Sequence, residues 1–517
     1  MSRAKRFAHS LVSGYLLLGT NMLYTLGSVP LALHYLNKPE FGLWALTAQI
    51  AGYVMLVDFG MGGSAARILI DYKDHQKPGE YGSLIQTSLL VGLSQGGLVL
   101  IAGTMLAFII GPLLHIPSTL EQTFFWLVVG QCGITAFSFV TRIFLYLLTA
   151  HQRFDVSNYS GMVSFVGNYI MLWIGFSQGF GVFSMLWAQA AGATLTAVLN
   201  WWACHKLKFF PARGEWGQPT KEKFHELFAF GRDIFLYSVG SQLVNASQTL
   251  LLTRLVGLEA AAVWNVCTRT FIVLTQVIYR VFDFSTSALA EMMVRGERDR
   301  LVQRFREIVQ LSANLAVAAG FIFATCNGTF VKVWTASKIS WPAINDLLLA
   351  IWLLLCVGVH AHLGLVGQTK KFQFMRFLYF IEGTSFIVLN ILLHQFESIT
   401  MMLLLSIGCS LCFSFPYSLR RTRVYFGLSW GELARWHRET FVLALWIVPV
   451  ALLTWWLTRN LPDLPCLALR FLVLGSWTGW AFLRYGLSAS LRMEAARRAP
   501  DWIRPIFLRM KVFKSEA

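Results

Sequence analysis

The sequence predicts an all-α integral membrane protein. Three observations carry that prediction. Of 517 residues, 56% are hydrophobic and only 13% charged, with a mean hydropathy of +0.56, whereas a soluble globular chain carries about 25% charged residues. The apolar residues come in blocks, 98–114 and 441–457 among them, and runs of roughly 18 to 20 apolar residues read as transmembrane helices. The net charge of +17 falls mainly in loops between the blocks, as membrane topology requires.

About fourteen spanning segments follow, at roughly 9–35, 41–67, 81–114, 122–150, 155–177, 181–204, 227–256, 259–290, 307–334, 342–368, 372–393, 398–419, 439–458 and 466–487. The first opens on Arg3, Lys5 and Arg6. Its apolar run continues to about Leu33 without a small-residue cleavage site, so it reads as a span and not a signal peptide. Loops alternate thereafter. Those at 36–41, 115–122, 178–181, 257–260 and 394–400 are short and poor in Lys and Arg. The alternate loops carry Lys206, Lys208, Arg213, Lys221 and Lys223, then Arg295, Arg298, Arg300, Arg304 and Arg306, then Arg420, Arg421, Arg423, Arg435 and Arg438. The positive-inside rule puts these loops and both termini in the cytoplasm, and fourteen spans leave both ends on one side. The tail at 491–517 is basic and amphipathic, with Trp502, Ile503, Ile506 and Phe507 among arginines, and is expected on the inner membrane surface.

An internal repeat organises the chain. Leu33-His34-Tyr35-Leu36 and Phe41-Gly42-Leu43-Trp44 are matched by Leu252-Thr253-Arg254-Leu255 and Ala261-Ala262-Val263-Trp264, about 220 positions later. Ala150-His151-Gln152-Arg153-Phe154 is matched at a similar offset by Gly367-Gln368-Thr369-Lys370-Lys371-Phe372. Two six-helix lobes in parallel orientation are expected, at 1–205 and 227–422, joined by a cytoplasmic linker at 206–226 and followed by an extra helix pair within 423–490.

Tyr35-Leu36-x-x-x-x-Phe41-Gly42-Leu43-Trp44, followed by Asp58-Phe59-Gly60-Met61-Gly62 and Ala65-Ala66-Arg67, resembles helices 1–2 of bacterial polysaccharide flippases. So does the turn Gln152-Arg153-Phe154 after the fourth segment. These O-antigen and exopolysaccharide-type flippases belong to the multidrug/oligosaccharidyl-lipid/polysaccharide (MOP) exporter superfamily. The resemblance implies two six-helix lobes and translocation of an undecaprenyl-pyrophosphate-linked oligosaccharide across the bacterial inner membrane. The lipid II flippase branch, with arginines in the middle of its first helix, resembles this chain less. The multidrug branch usually has twelve helices, so the pair at 439–487 counts against it.

Polar residues inside spans are costly and mark candidate sites. In the eighth segment Asn265, Arg269, Gln276, Arg280 and Asp283 fall on one face of a continuous helix at about 100° per residue. Arginine suits phosphate because its planar fork donates paired hydrogen bonds. The plainer reading is an Arg280–Asp283 ion pair at i, i+3. Asn21, Tyr24, Thr25 and Ser28 in the first segment, and Ser238, Gln242, Asn245 and Thr249 in the seventh, either line a shared cleft or bond between helices. Arg142 in the fourth segment either snorkels or lines the cavity. Asp58 and Arg67 flank Gly60, Gly62 and Gly63. No strand precedes these glycines, so close helix packing explains them better than a phosphate loop. Together with Asp283 they are gating or coupling candidates. Glu382, near the middle of the eleventh segment, either carries a coupling proton or is a neutral acid bonded to a neighbour.

His360 and His362 are two apart and on different helix faces, which argues against a metal site. The eight cysteines mostly lie in or at the ends of apolar runs, and Cys409-x-x-Cys412 lies within one, so packing roles are expected. No cofactor is expected beyond a coupling proton or sodium ion, and no nucleic-acid motif occurs. The expected partners are the lipid-linked oligosaccharide, the bilayer and other membrane proteins of polysaccharide assembly.

Three function classes compete: a lipid-linked-glycan flippase, a drug or ion antiporter of the same superfamily, and a membrane enzyme of polysaccharide assembly. An enzyme would need a sizeable outer loop, and the longest here runs at most over 335–346. No G-x-x-x-x-G-K-[ST] pattern occurs, so ATP hydrolysis by that machinery is excluded. The flippase reading is favoured. For topology, a cysteine at Ser337 should react with an impermeant thiol reagent outside intact cells and one at Ser429 should not, in a background without other reactive cysteines. The reverse labelling pattern would overturn the orientation.

Overall fold

The computed structural model describes residues 3–74, 79–368, 374–396, 398–488 and 491–492. The described residues are helical, with no strand. The helices are α1 (Arg3–Tyr35), α2 (Lys38–Val54), α3 (Met61–Asp74), α4 (Glu80–Leu113), α5 (Ser118–Ala150), α6 (Phe154–Ser177), α7 (Phe183–Lys206), α8 (Lys221–Leu255), α9 (Leu258–Cys267), α10 (Arg269–Asp283), α11 (Thr286–Val294), α12 (Arg298–Trp334), α13 (Ala343–Gln368), α14 (Met375–Leu392), α15 (Ile399–Cys412), α16 (Ser414–Phe426), α17 (Trp430–Trp436), α18 (Arg438–Thr458) and α19 (Asp463–Ala481). Among the described residues nine helices are long and apolar enough to cross a membrane, or ten if the bent pair after α8 counts as one span. A helix satisfies its own backbone, which is why an apolar chain of this composition takes this form in lipid.

The expected segments each meet a helix, but three are interrupted. The second breaks between α2 and α3, where a 3-10 turn at Met55–Asp58 ends in left-handed Phe59 and Gly60. The twelfth breaks at Phe413, between α15 and α16. The eighth is not the continuous helix expected. It bends by 42° at Thr268 and breaks again before Thr286. The single polar face drawn from Asn265 to Asp283 is therefore corrected. Asn265 lies in α9, while Arg269, Gln276, Arg280 and Asp283 lie in α10. Periodicity counts residues and does not register a kink.

Helix boundaries carry the repeat. Tyr35 and Leu255 end α1 and α8, and Lys38 and Leu258 start α2 and α9, the same offset as the paired tryptophans. The tail beyond 492 and the segment 369–373 lie outside the described residues.

The chain packs as two compact units, Met1–Asn265 and Val266–Ala517. In the first, α1 packs on α6, α4 on α5, and α6 on α7, while α8 lies against α2, α3 and α4. Leu84, Leu147, Leu148, Cys204 and Leu227 are core residues, and Phe209, Phe210 and Trp216 of the expected linker pack against them. Phe209 stacks on His151, with centroids 3.9 Å apart. In the second unit α12 is the central helix, packed against α10, α13, α18 and α19. Phe305, Phe426 and Trp436 form part of its core. Ser429 caps α17, accepting from the Glu432 amide. A cysteine there would remove the cap, so exposed Gly431, with open space at its Cβ position, is the better position for the inner probe.

Gly42 of α2 lies hard against the start of α9: a Cβ there would collide with the Leu258 carbonyl. Backbone cannot swing aside as a side chain can, so Gly42→Ala should cost about 1–3 kcal/mol, read as a lowered Tm of the purified protein in detergent. An unchanged Tm would contradict this packing.

Candidate functional site

Unit 1 contains a half-open cavity of about 540 Å³ with polar and apolar residues in its lining. Tyr24 of α1, Trp44 of α2, Ser138, Thr141 and Arg142 of α5, Asn168 of α6, and Gln189 and Asn200 of α7 line it. Tyr24 donates to Asn168 Oδ1 at 2.9 Å, while Gln189 Oε1 and Asn200 Oδ1 are buried with no hydrogen-bond partner among the described residues.

The break in the second segment builds the charged end of this site. Phe59 and Gly60 turn the chain in left-handed conformations, so α3 restarts with free amides. Asp58 lies at that N-terminus and accepts from the Gly62 amide, with both oxygens at 3.1 Å, the end of a helix that favours an anion. Arg142 reaches Asp58 Oδ1 at 2.5 Å and donates to Gln95 Oε1, also at 2.5 Å. Gln95 in turn donates to the Asp58 carbonyl at 2.9 Å. The Arg142 guanidinium also lies 4.5 Å from the Phe139 ring centre, a cation–π arrangement. Side-chain exposure of the Arg–Asp pair is 17% and 22%, so it is open enough to exchange partners. A Cβ on Gly62 would meet Tyr146, Arg142 and Asp58 together, which explains that glycine by close packing.

Unit 2 holds a second set. Asp283, at the end of α10, bonds His360 of α13 at 3.0 Å. Tyr279 stacks on His360 with centroids 3.7 Å apart. No Arg280–Asp283 ion pair occurs among the described residues. Arg280 and Gln276 are exposed and Arg269 is half-buried, while Phe271, Ile278 and Phe282 on the other side of α10 are buried. Glu382 is buried. Its Oε1 accepts from Ser410 at 3.0 Å and Ser414 at 3.1 Å, one residue on each side of the α15–α16 break. Its Oε2 has no hydrogen-bond partner among the described residues.

The other expected residues are placed as follows. Asn21 is half-buried on α1, and Gln242 of α8 rests against Gly52 of α2. Arg67 belongs to α3 and Asn245 to α8, but their side chains lie outside the description. Sequence reasoning missed Gln95, His360 as the partner of Asp283, and Arg470. Buried Arg470 donates to Thr458 Oγ1 at 2.7 Å, the Thr325 carbonyl at 2.8 Å and Thr329 Oγ1 at 3.1 Å, joining α18 and α12 to α19. Its signal was available, an arginine inside an apolar run.

Apolar helices in two units, with interrupted spans and a cavity edged by a charged pair within the first, define a membrane bundle, and solved structures share the fold. The chain aligns with an inward-facing multidrug resistance MATE family transporter of the MOP superfamily at TM-score 0.61 and 12% identity, over 78% of this chain and 94% of that one. It aligns with the lipid II flippase MurJ in an inward closed conformation at 0.61 and 11%, over 92% and 98%. A MOP superfamily transporter from Pyrococcus furiosus aligns at 0.57 and 13%, over 81% and 96%. No curated protein matches the chain by sequence. Residues 9–283 match the family of polysaccharide biosynthesis proteins, and the chain belongs to that family.

A double-mutant cycle checks the charged end. Asp58→Ala and Arg142→Ala should each lower unfolding stability in detergent by about 1–3 kcal/mol, since each strands the other charge. The double variant should lose less than the sum by at least about 1 kcal/mol. Strictly additive losses would show that the two charges do not interact.

Proposed function

We propose that the protein is a secondary flippase, not an enzyme, that carries an undecaprenyl-pyrophosphate-linked oligosaccharide from the inner to the outer leaflet of the bacterial inner membrane, with both termini in the cytoplasm. One observation carries this reading: a chain of the polysaccharide biosynthesis family holds a guanidinium at the edge of a half-open cavity, inside an apolar bundle.

The chemistry is an exchange of anions. Arg142 is neutralised by Asp58, so an arriving pyrophosphate competes with that carboxylate for the same fork. The competition keeps binding weak enough for release. The exposed stripe of α10, with Gln276 and Arg280, supplies further donors, and Arg269 another. Such a face is costly against lipid and suits a hydrated path. Glu382 is the coupling candidate. No cation pairs with it among the described residues, and a charge buried without a partner carries a cost that a proton removes. Other polysaccharide-assembly proteins of the membrane are the partners this reading calls for.

Deletion in the native host tests it. Complete lipid-linked oligosaccharide should accumulate on the inner leaflet, and the wild-type gene should clear it. Lys at Arg142, Arg269 or Arg280 should restore part of the flux and Ala roughly tenfold less than wild type, because Lys keeps the charge but not the fork. Glu382→Gln should lower flux at normal protein level. Normal glycans in the deletion strain would favour a drug or ion antiporter. Full flux in all three alanine variants would remove the arginines from the path.

A further inference from the structure

Unit 2 contains a second cavity that the transport reading does not use. It measures about 420 Å³ and is lined by Arg306 of α12, Arg435 of α17, Arg438 and Glu439 of α18, and Arg484 and Arg492 beyond α19. Five arginines and one glutamate line the same space. No ion pair joins Glu439 to any of them among the described residues. Arg492 donates from Nη1 to the Arg484 carbonyl at 3.1 Å, while its Nε is buried with no hydrogen-bond partner among the described residues. A π-turn at Phe482–Gly486 ends α19, a local widening that occurs frequently at functional sites.

The cavity lies where three apolar helices end. Arg306 is in the first turns of α12, Arg438 opens α18, and Arg484 follows α19. Tyr485, which lines the cavity, stacks on Trp446 with centroids 5.2 Å apart, and Trp477 and Trp480 pack beside them at 4.9 Å from each other. Trp477, Trp480 and Tyr485 lie in the last turns of α19 and the π-turn after it, and tryptophan and tyrosine at helix ends mark the level of lipid headgroups. Val442 and Leu487 complete the lining, giving apolar surface next to the guanidiniums.

We propose that this cavity binds the phosphodiester headgroup of an anionic phospholipid, with the guanidiniums around the phosphate and the glycerol against Tyr485 and Leu487. Basic pockets between spans recognise such headgroups, and arginine matches phosphate by its fork. The occupant anchors α18 and α19 to α12 at the membrane surface. This site is independent of the substrate assignment.

Native mass spectrometry of the full-length protein, delipidated in detergent and given defined lipids, tests the proposal. Phosphatidylglycerol or cardiolipin should be retained at least about tenfold more than phosphatidylcholine, and Arg438→Gln with Arg484→Gln should abolish most of that preference. Arg484→Gln alone should weaken it, which covers the case where the double variant does not fold. Anionic lipid should also raise the Tm of the wild type more than that of the variants. Equal retention of anionic and zwitterionic lipid would overturn the proposal, as would undiminished preference in the variants. Equal binding of free glycerol phosphate would assign the site to a soluble anion and overturn it too.

Discussion

In a bilayer core no water bonds the backbone, so every interruption of a spanning helix exposes amides that the protein must satisfy itself. The site depends on this constraint. Two of the interrupted spans resume beside a carboxyl group. Asp58 sits at the start of α3 and accepts from the Gly62 amide. Glu382 reaches across from α14 to the serines that flank Phe413, at the start of α16. A carboxylate placed to cap a helix break is also a charge that must be balanced, and in the first unit Arg142 balances it. The ion pair beside the cavity thus follows from the break.

The chain settles its guanidiniums in three different ways. Arg470 is buried and gives its protons to neutral oxygens of Thr458, Thr325 and Thr329, which makes it a joint between helices and leaves little capacity for a ligand. Arg142 is held by the carboxylate of Asp58 in a partly exposed pair. Arg280 is exposed on a helix whose opposite face is buried. A ranking by how firmly each positive charge is already satisfied separates the arginine that joins helices from those still open to a ligand, which position along the chain does not.

The extra helix pair extends the second unit. It packs on α12, and Arg470 supplies polar bonds near one end while the aromatic cluster of Trp446, Trp477, Trp480 and Tyr485 packs near the other. Several arginines gathered beside that cluster raise the local positive potential, which favours an anion there.

Composition and periodicity alone determine the class of this protein: an all-α membrane bundle, with its spans in the order observed and a repeat whose offset recurs in the helix boundaries. They do so because burial in lipid selects residue type locally, and local selection is visible one window at a time. They also pick out Arg142, Asp58, Asp283 and Glu382 as intramembrane polar groups. Tertiary structure alone decides what each of them touches. Asp283 meets His360 across 77 positions of sequence and not Arg280, the alternative partner that spacing offered, Gln95 completes the Arg142–Asp58 pair, and the eighth span bends at Thr268, dividing a face that looked continuous. Hydrogen bonds between distant helices depend on how whole helices pack, and neither hydropathy nor spacing encodes that packing.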